Sequence, residues 1–511
     1  MAATAPSQSA LGGPEWLRQR ARISPGRLAL LCGEERLTFA ELDRRVSAVS
    51  RGLAAAGVRP GERVALLAGN GAAFVHMVHA VPRLGAVLVP LNIHLTVPEL
   101  LYQVEDCEPV LLVHDEANEE KAAALSTARL SLSRLSLTGL VQEASRASAP
   151  GGDTEDLIDL SALYTIVYTS GTSGAPKGAM LTFGNHWWNA LASVLNLGLR
   201  EDDRWLACLP LFHVGGLAIL LRSVIYGIPV VLHESFDAAT VNRAIDEDGV
   251  TIVSLVPTML ARLLEERGGR PLPAHLRGLL VGGGPLPMSL LEECVRIGWP
   301  VAPTYGLTEA ASQVATLTPD EALGKMGSAG KPLFPTQVQI GGEGGKEAPP
   351  GVPGEILVRG PTVTPGYFRR PRDSAEALRG GWLHTGDIGY LDADGYLHVL
   401  DRRDDLIVSG GENVYPAEVE EVLRAHPDVL DAGVTGLPDE TWGQMVVAAV
   451  ILREPARTSE EALLAFCRER LAPYKVPKEL RFVTNLPRNA AGKLLRRELR
   501  QEWSRNQALS T

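Results

Sequence analysis

The feature that most constrains this chain is a loop rich in glycine and hydroxyl side chains, residues 168–181, with the sequence YTSGTSGAPKGAML. It follows an apolar segment, LYTIVYT, that predicts a buried strand, and it runs into TFGNHWWNALASVL, which predicts a helix. Glycines let backbone amides approach an anion closely, hydroxyls add hydrogen-bond donors, and Lys177 supplies a positive charge. A strand, such a loop and a helix in succession predict an α/β fold that holds a polyphosphate.

The spacing within this loop differs from the P-loop of switch-type nucleotide hydrolases. In that motif the lysine follows a glycine and precedes Ser or Thr, whereas Lys177 follows Pro176 and precedes Gly178. A mobile Gly/Ser surface loop is the other interpretation, but such loops rarely have a strand, a helix and a lysine together.

The remaining chain extends the α/β pattern. Helix and strand signals alternate over residues 14–109 and again over 205–284, whereas residues 331–400 contain short strands and turns, including the hairpin signal Asp394-Gly395. At 511 residues the chain is too long for a single core. We predict a flexible leader (1–13), a large N-terminal domain of βα-layered sheets with a β-rich subdomain (14–400), a hinge (401–404) and a small mobile α+β C-terminal domain (405–511). Residues 125–152 predict a variable surface segment.

Composition excludes several function classes. A net charge of −11 offers no basic surface for nucleic acid or anionic lipid. The five cysteines are far apart and in no metal-ligand spacing, as expected of reduced core thiols in a cytoplasmic protein. The apolar residues 214–232 contain Arg222 and are broken by Gly227 and Pro229, so they predict a buried helix and strand rather than a transmembrane segment. The N-terminus lacks the features of a signal peptide. The oligomeric state stays open, a homo-oligomer included.

Four further motifs follow the loop: TYGLTE at 304–309, WLHTGD at 382–387, DRRDDLIVSGGENVYPAEVE at 401–420 and LPRNAAGKLLRREL at 486–499. Together the five motifs resemble the signature set of the adenylate-forming acyl-CoA synthetase superfamily, in that family's order, from about residue 30 to the end. The resemblance implies that ATP and a small carboxylic acid form an acyl adenylate and pyrophosphate, and that CoA then converts the adenylate into a thioester and AMP. The expected ligands are therefore ATP, Mg²⁺ and CoA, and no protein nucleophile is required.

The resemblance also implies where the nucleotide binds. Asp387 corresponds to the carboxylate that accepts the ribose hydroxyls, and Tyr305 to one face of the adenine site, with the glycine run at 282–284 as the other. Without the family, Asp387 could form a surface ion pair and the glycines a turn. The expected nucleotide-binding residues are Thr169, Ser170, Gly171, Thr172, Ser173, Gly174, Lys177, Gly283, Gly284, Pro285, Thr304, Tyr305, Gly306, Thr308, Asp387, Arg402 and Lys493.

Four residues are expected to act on the reaction itself. By similarity, Thr172 and Glu309 hold Mg²⁺, a hard cation that takes oxygen ligands. Lys493 stabilises the charge that develops as the carboxylate displaces pyrophosphate. The residues Asn489-Ala490-Ala491 before it depart from the usual Thr/Ser-containing run. His213 resembles the gate between the acyl pocket and the thiol channel, with a structural histidine as the alternative.

The resemblance implies a moving C-terminal domain. Asp404 lies where the family places its hinge. Between the half-reactions the small domain is expected to swing, withdrawing Lys493 and bringing Ser409, Gly410 and Gly411 to line the CoA channel.

The acid is suggested by the middle of the chain. The segments PLFHVGGLAILLR (210–222), SLVPT (254–258) and GNHWWNALASVLNLGL (184–199) resemble the o-succinylbenzoate–CoA ligases of menaquinone biosynthesis. That acid is a dicarboxylate, so one carboxylate reacts while the other must be held. An arginine inside an apolar helix is costly unless paired, so Arg222, with Ser254, is the candidate for the retained carboxylate. A buried ion pair with a protein carboxylate is the alternative for Arg222.

Three other functions stay open at this point. A medium-chain or aryl acyl-CoA ligase would need no cation in its acyl pocket. An amino-acid adenylating enzyme would need an acidic partner for the substrate ammonium and a carrier domain, neither of which is evident. A non-catalytic nucleotide-binding module would not need Lys493.

Overall fold

A computed structural model describes residues 12–140, 157–170, 175–284, 286, 288–342, 346–401, 407–414, 416–453, 458–487, 494 and 496–508. Within these residues the strands, numbered along the chain, are β1 (Gly12–Pro14), β2 (Leu28–Cys32), β3 (Glu35–Thr38), β4 (Arg63–Leu67), β5 (Val87–Pro90), β6 (Leu111–His114), β7 (Ser133–Ser136), β8 (Leu157–Asp159), β9 (Leu163–Ser170), β10 (Pro176–Thr182), β11 (Trp205–Ala207), β12 (Val230–Leu232), β13 (Ile252–Leu255), β14 (Gly278–Val281), β15 (Val301–Leu307), β16 (Ser312–Thr316), β17 (Lys331–Pro332), β18 (Gln337–Gly341), β19 (Gly354–Arg359), β20 (Leu383–Leu391), β21 (Leu397–Asp401), β22 (Ile407–Ser409), β23 (Glu412–Val414), β24 (Val429–Asp439), β25 (Gly443–Leu452) and β26 (Glu479–Phe482).

The helices are α1 (Trp16–Ile23), α2 (Phe39–Ala55), α3 (Ala72–Arg83), α4 (Val97–Cys107), α5 (Glu119–Ala128), α6 (Phe183–Leu197), α7 (Val214–Tyr226), α8 (Ala238–Glu247), α9 (Pro257–Arg267), α10 (Met288–Arg296), α11 (Pro371–Ala377), α12 (Pro416–Arg424), α13 (Glu460–Arg468) and α14 (Arg496–Ala508).

Two large sheets form most of the chain. One has the order β10-β9-β5-β4-β6-β7 and the other β17-β16-β15-β14-β13-β11-β12-β2-β3. They share one apolar core, which takes Leu66 from the first sheet, Val230 from the second, and Met77, Leu42 and Leu220 from helices α3, α2 and α7. The predicted α/β class is confirmed, because sheets covered by helices are the architecture that buries such strands on both faces.

Local signals place several elements as predicted. Helix α2 begins after Thr38, whose side chain and that of Glu41 form a reciprocal capping box. Helix α7 ends at Gly227, which has φ +75° and is followed by strand β12, so the apolar stretch 214–232 is the predicted helix and strand. No helix among the described residues combines the length and the apolar character needed to cross a bilayer.

The helix predicted after residue 181 is present, since Thr182 caps helix α6. The prediction that residues 176–181 belong to the loop was wrong, because they form strand β10, which pairs antiparallel with β9. Lys177 therefore lies on a strand. Within the predicted surface segment 125–152, strand β7 forms the edge of the first sheet, parallel to β6. Strand β7 is short and its residues, SRLS, are partly polar, as in many edge strands, so the hydrophobic pattern did not predict a strand there.

Two smaller sheets follow. Strands β18 to β21 form an antiparallel meander, and the predicted Asp394-Gly395 turn joins its last two strands. The final sheet, β23-β22-β25-β24 with β26 beside β25, is covered on both faces, because alternate residues of β25 contact different cores. Val446 and Ala448 pack with helices α12 and α13, and Val447 and Ala449 with helix α14. This sheet and its helices are called the C-terminal unit below.

Candidate active site

Glu309 lies where the two large sheets meet. It follows β15 in the 3₁₀ turn Thr308–Ala310. Its carboxylate accepts hydrogen bonds from the Tyr367 hydroxyl (2.9 Å) and the Thr169 hydroxyl (3.4 Å), and its carbonyl accepts one from the Thr364 amide (2.7 Å). The predicted phosphate loop and the TYGLTE motif are thus adjacent, as expected for one site, and the donors there are all oxygens, as Mg²⁺ prefers.

Lys177 points toward the same region. Its ammonium pairs with Asp373 at the start of helix α11 and lies 5.5 Å from the centre of the Tyr367 ring. Tyr367 therefore contacts both the loop lysine and the acidic residue of the TYGLTE motif. A cation and a carboxylate that contact the same aromatic side chain can bind the two charged parts of a metal–polyphosphate.

The expected nucleoside residues are also together. The Tyr305 hydroxyl donates a 2.6 Å hydrogen bond to Asp387, and both side chains are largely buried. Thr304 precedes Tyr305 on β15 and bonds the Thr316 hydroxyl at 2.8 Å. Gly306 is required by packing, since a Cβ there would lie 2.0 Å from the carbonyl oxygen of Ser312.

Two predicted residues, Gly283 and Gly284, connect the nucleoside region to the C-terminal unit. Gly283 has φ +80°, a conformation that favours glycine. A Cβ on Gly284 would contact Val408 of strand β22 at 3.6 Å. The C-terminal unit therefore packs against the segment that contains Gly283 and Gly284.

The hairpin β22–β23 brings the predicted CoA-channel residues to the N-terminal part. Ser409 is buried, the Gly410 amide bonds the Trp442 carbonyl at 2.8 Å, and a Cβ on Gly411 would lie 3.4 Å from Val256. At the tip of this hairpin, Glu412 lies 3.3 Å from His213.

The charge of Glu412 is stabilised in this position. Burial opposes its ionisation, but the hydrogen bond with His213 and the nearby charges of His213, His94 and Lys475 lower the pKa of Glu412 below its ordinary value. His213 is the N-cap residue of helix α7, and its side chain is 44% exposed, so it does not lie in a core. Its role as a gate stays a prediction.

Arg222 is buried in helix α7. It is 2% exposed, donates a 2.7 Å hydrogen bond to Asn189 and lies 5.3 Å from the centre of the Trp205 ring, while its Nε has no hydrogen-bond partner among the described residues. No carboxylate in the described part of the chain pairs with it, so the alternative of a buried ion pair with the protein was wrong there. Burial accordingly lowers the pKa of Arg222.

Ser254 belongs to the same cluster through Trp205, whose indole N–H donates a 2.9 Å hydrogen bond to its hydroxyl. Asn189 connects the cluster to the Glu309 turn, because its amide donates to the carbonyls of Ala310 (3.2 Å) and Gln313 (3.0 Å). A chain of contacts therefore connects the predicted acid-binding residues to the turn that contains Glu309.

Several predicted residues lie outside the described residues. These are Gly171, Thr172, Ser173, Gly174, Pro285, Arg402, Asp404 and Lys493. For Ser170 the backbone alone is described, at the end of strand β9. Their proposed roles stay predictions.

Sequence reasoning missed Tyr367, Asp373, Asn189 and Trp205. Tyr367 follows Gly366 in VTPGYFRR, a turn that carries no charge pattern, and Asn189 lies in an apolar helix where a single amide is easily taken for a structural residue. A buried polar residue inside an apolar helix was the one available signal for Asn189, since such groups need partners.

Comparison with known proteins decides the family. Residues 17–368 match the AMP-binding enzyme family, and residues 418–493 match the AMP-binding enzyme C-terminal domain. The chain belongs to the AMP-binding enzyme family. Among its relatives, the 2-succinylbenzoate–CoA ligase of Geobacillus kaustophilus is 52% identical over 96% of this chain and 97% of its own length.

Two solved structures of an AMP-binding enzyme from Bacillus subtilis resemble this chain to different degrees. Both are o-succinylbenzoate CoA synthetase, 45% identical over 96% of this chain and 98% of their own. The double mutant bound to the product analogue OSB-NCoA gives a TM-score of 0.90, and the complex with the acyl-adenylate intermediate OSB-AMP gives 0.74.

Proposed function

We propose that this protein is an ATP-dependent 2-succinylbenzoate–CoA ligase that acts in menaquinone biosynthesis in the cytoplasm. It would join the acid to AMP with release of pyrophosphate and then transfer the acyl group to CoA with release of AMP. The relatives with this name are 48% and 52% identical to the chain over 96% of its length, so the comparison covers both the fold and the candidate site.

The observation that carries the choice of acid is that Arg222 is buried with no carboxylate partner among the residues that the structure describes. A buried cation without a counter-ion is strongly unfavourable unless a ligand supplies the negative charge. A monocarboxylic acid uses its single carboxylate in the reaction and has none left for Arg222. A dicarboxylic acid can present one carboxylate to ATP near Glu309 and the second to the guanidinium, whose Nε is available.

The first half-reaction follows from the residues around Glu309. A carboxylate oxygen of the acid attacks the α-phosphorus of ATP, and the bond to pyrophosphate breaks. Lys177 would hold phosphate oxygens, with Asp373 and Tyr367 positioning its ammonium before ATP arrives. Among the described residues no group of three or more His, Cys, Asp or Glu could hold a metal ion, so Mg²⁺ at Glu309 would take most ligands from phosphate oxygens and water. When bound, it neutralises phosphate charge.

The second half-reaction requires a different arrangement of the C-terminal unit. The sulfur of CoA attacks the acyl carbonyl, and the bond from that carbon to the AMP oxygen breaks. The two Bacillus subtilis structures have the same sequence identity to this chain and cover it equally. Their unequal TM-scores therefore support a difference in the arrangement of their parts rather than in sequence divergence. The present arrangement matches the complex with a CoA product analogue. We infer that residues 405–511 move about a hinge at 401–404 relative to residues 14–400, and that Lys493 acts before this movement.

The test measures pyrophosphate release and thioester formation with ATP, Mg²⁺ and CoA, comparing 2-succinylbenzoate with benzoate, octanoate and amino acids. The proposal expects a preference for 2-succinylbenzoate of at least about 10² in kcat/KM, the scale of a charge-assisted contact. Equal turnover of benzoate or octanoate would keep the chemistry and replace the acid with a monocarboxylate. No adenylate from any acid would refute ligase activity.

A further inference from the structure

A buried ionic cluster joins the C-terminal unit to helix α4. The Lys475 ammonium donates to Glu99 (2.8 Å) and to Glu418 (2.7 Å). The three side chains are 5%, 10% and 10% exposed, respectively. Burial alone would lower the pKa of Lys475, but the two carboxylates outweigh it and raise that pKa, so the ammonium is held charged.

The two carboxylates differ in their relation to the moving part. Glu418 belongs to helix α12 of the C-terminal unit, as Lys475 belongs to the segment before β26, so their bond survives any rigid movement of that unit. Glu99 belongs to helix α4 of the N-terminal part, 376 residues away from Lys475 in sequence. Its bond with Lys475 exists only while the two parts are docked as here.

The two carboxylate oxygens of Glu99 accept hydrogen bonds from different partners. Oε2 accepts hydrogen bonds from the Thr96 amide (2.8 Å) and hydroxyl (2.7 Å), which completes the capping box of helix α4. Oε1 accepts the bond from Lys475. When the C-terminal unit moves away, Glu99 keeps the hydrogen bonds of its cap and Lys475 keeps Glu418, so both retain a hydrogen-bond partner.

Neighbouring contacts show that the interface continues around this bond. The Thr96 hydroxyl lies 3.1 Å from the Arg470 carbonyl, and the Asn92 amide 3.4 Å from the Tyr474 hydroxyl. Ala472 and Tyr474 pack into the core of the first sheet. The Glu99–Lys475 bond therefore adds a charged, directional contact to a surface that also has apolar contacts and neutral hydrogen bonds.

We propose that the Glu99–Lys475 bond is a latch that stabilises the thioester-forming arrangement and that Glu99 is a positioning residue for the second half-reaction. This inference rests on the proposed two-step function. A bond made in one arrangement and absent from the other shifts the equilibrium between them by its own free energy. Losing the latch should therefore slow the CoA step and spare adenylate formation.

The decisive variant is Glu99→Gln. Glutamine retains an oxygen for the Thr96 cap, since the capping box accepts Gln as well as Glu, but its amide group then faces the Lys475 ammonium, donor against donor. Lys475 keeps Glu418, so no buried charge loses its last partner. The matched control is Glu41→Gln, which changes the same capping-box position on helix α2, where Glu41 bonds Thr38 and does not contact the C-terminal unit.

The measurement is single-turnover kinetics of each half-reaction with purified full-length enzyme. Adenylate formation from ATP and 2-succinylbenzoate is followed without CoA, and consumption of preformed adenylate is followed after CoA is added. We expect E99Q to slow the CoA step by about tenfold, the effect of one charge-assisted bond, and to leave adenylate formation within about twofold. E41Q should change neither rate.

Three outcomes would overturn the latch. They are an unchanged CoA step in E99Q, equal slowing of both steps, and equal slowing in E41Q. Failure of the proposed function is distinguishable, because the unmodified enzyme would then form no adenylate from 2-succinylbenzoate.

Discussion

Replacing Arg222 by methionine is expected to abolish the preference for a dicarboxylic acid without unfolding the protein. Among the described residues the guanidinium has one hydrogen-bond partner, Asn189, and its Nε has none. A substrate carboxylate that takes two of its donors would gain about 1.5–3 kcal/mol from each charge-assisted bond. Loss of both corresponds to about 10²–10⁴ in kcat/KM for 2-succinylbenzoate, because 1.4 kcal/mol is about tenfold.

The contributions to the expected change in stability oppose each other. Replacing buried charged groups by well-packed apolar side chains can stabilise by about 1–4 kcal/mol. Losing the donor to Asn189 costs about 1–3 kcal/mol, and losing the contact with Trp205 costs about 0.5–2 kcal/mol. The midpoints of these ranges differ by about 1 kcal/mol, so we expect the free energy of unfolding of Arg222→Met to fall by about 1 kcal/mol, with extremes of about 2.5 kcal/mol of gain and about 4 kcal/mol of loss.

The assay compares kcat/KM for 2-succinylbenzoate and benzoate, together with urea unfolding. Arg267→Met is the matched control, because Arg267 is equally buried but pairs with Asp246 at 2.7 Å. This control should lose stability and keep the ratio of the two kcat/KM values. Binding of the second carboxylate by Arg222 would be refuted if Arg222→Met lowered kcat/KM equally for both acids, or if it left 2-succinylbenzoate turnover unchanged.

Three further perturbations test other parts of the molecule. Lys493→Ala should slow adenylate formation by about 10²–10³ while supplied acyl adenylate still reacts with CoA, and equal loss in both half-reactions would contradict the moving domain. Glu309→Gln should raise the Mg²⁺ concentration needed for half-maximal pyrophosphate release by about tenfold or more, with an unchanged requirement arguing against metal binding there. Burial lowers the pKa of His76 to about 4 and of His79 and His186 to about 3. The unfolded chain therefore binds more protons between pH 6.5 and about 4, and each histidine should reduce stability by up to about 1.4 kcal/mol per pH unit as the pH falls through that range. Urea unfolding at pH 7, 6 and 5 measures this slope, and a flat profile would contradict buried neutral histidines.

How well a feature could be predicted depended on the sequence separation of the residues that determine it. The helix after Thr38, the helix that ends at Gly227 and the hairpin at Asp394-Gly395 depend on caps, turns and periodicity within a few residues. Strand β10 was missed because its residues, PKGAMLT, have no strong strand propensity, and its pairing with β9 decides its conformation. Arg222 was recognised as costly from its apolar surroundings, but whether a protein carboxylate accompanied it could not be known from the sequence.

The α/β class, the order of the motifs and the chemistry that they imply follow from the sequence, because those depend on residue types at short spacings. Which distant side chains meet depends on the packing of the folded chain. That packing places Tyr367 between Lys177 and Glu309, leaves Arg222 without a carboxylate partner among the described residues, and joins Glu99 to Lys475. The physical reason is that hydrogen bonds and ion pairs act over about 3–4 Å, so a contact between residues hundreds of positions apart exists only after the sheets and the C-terminal unit have packed.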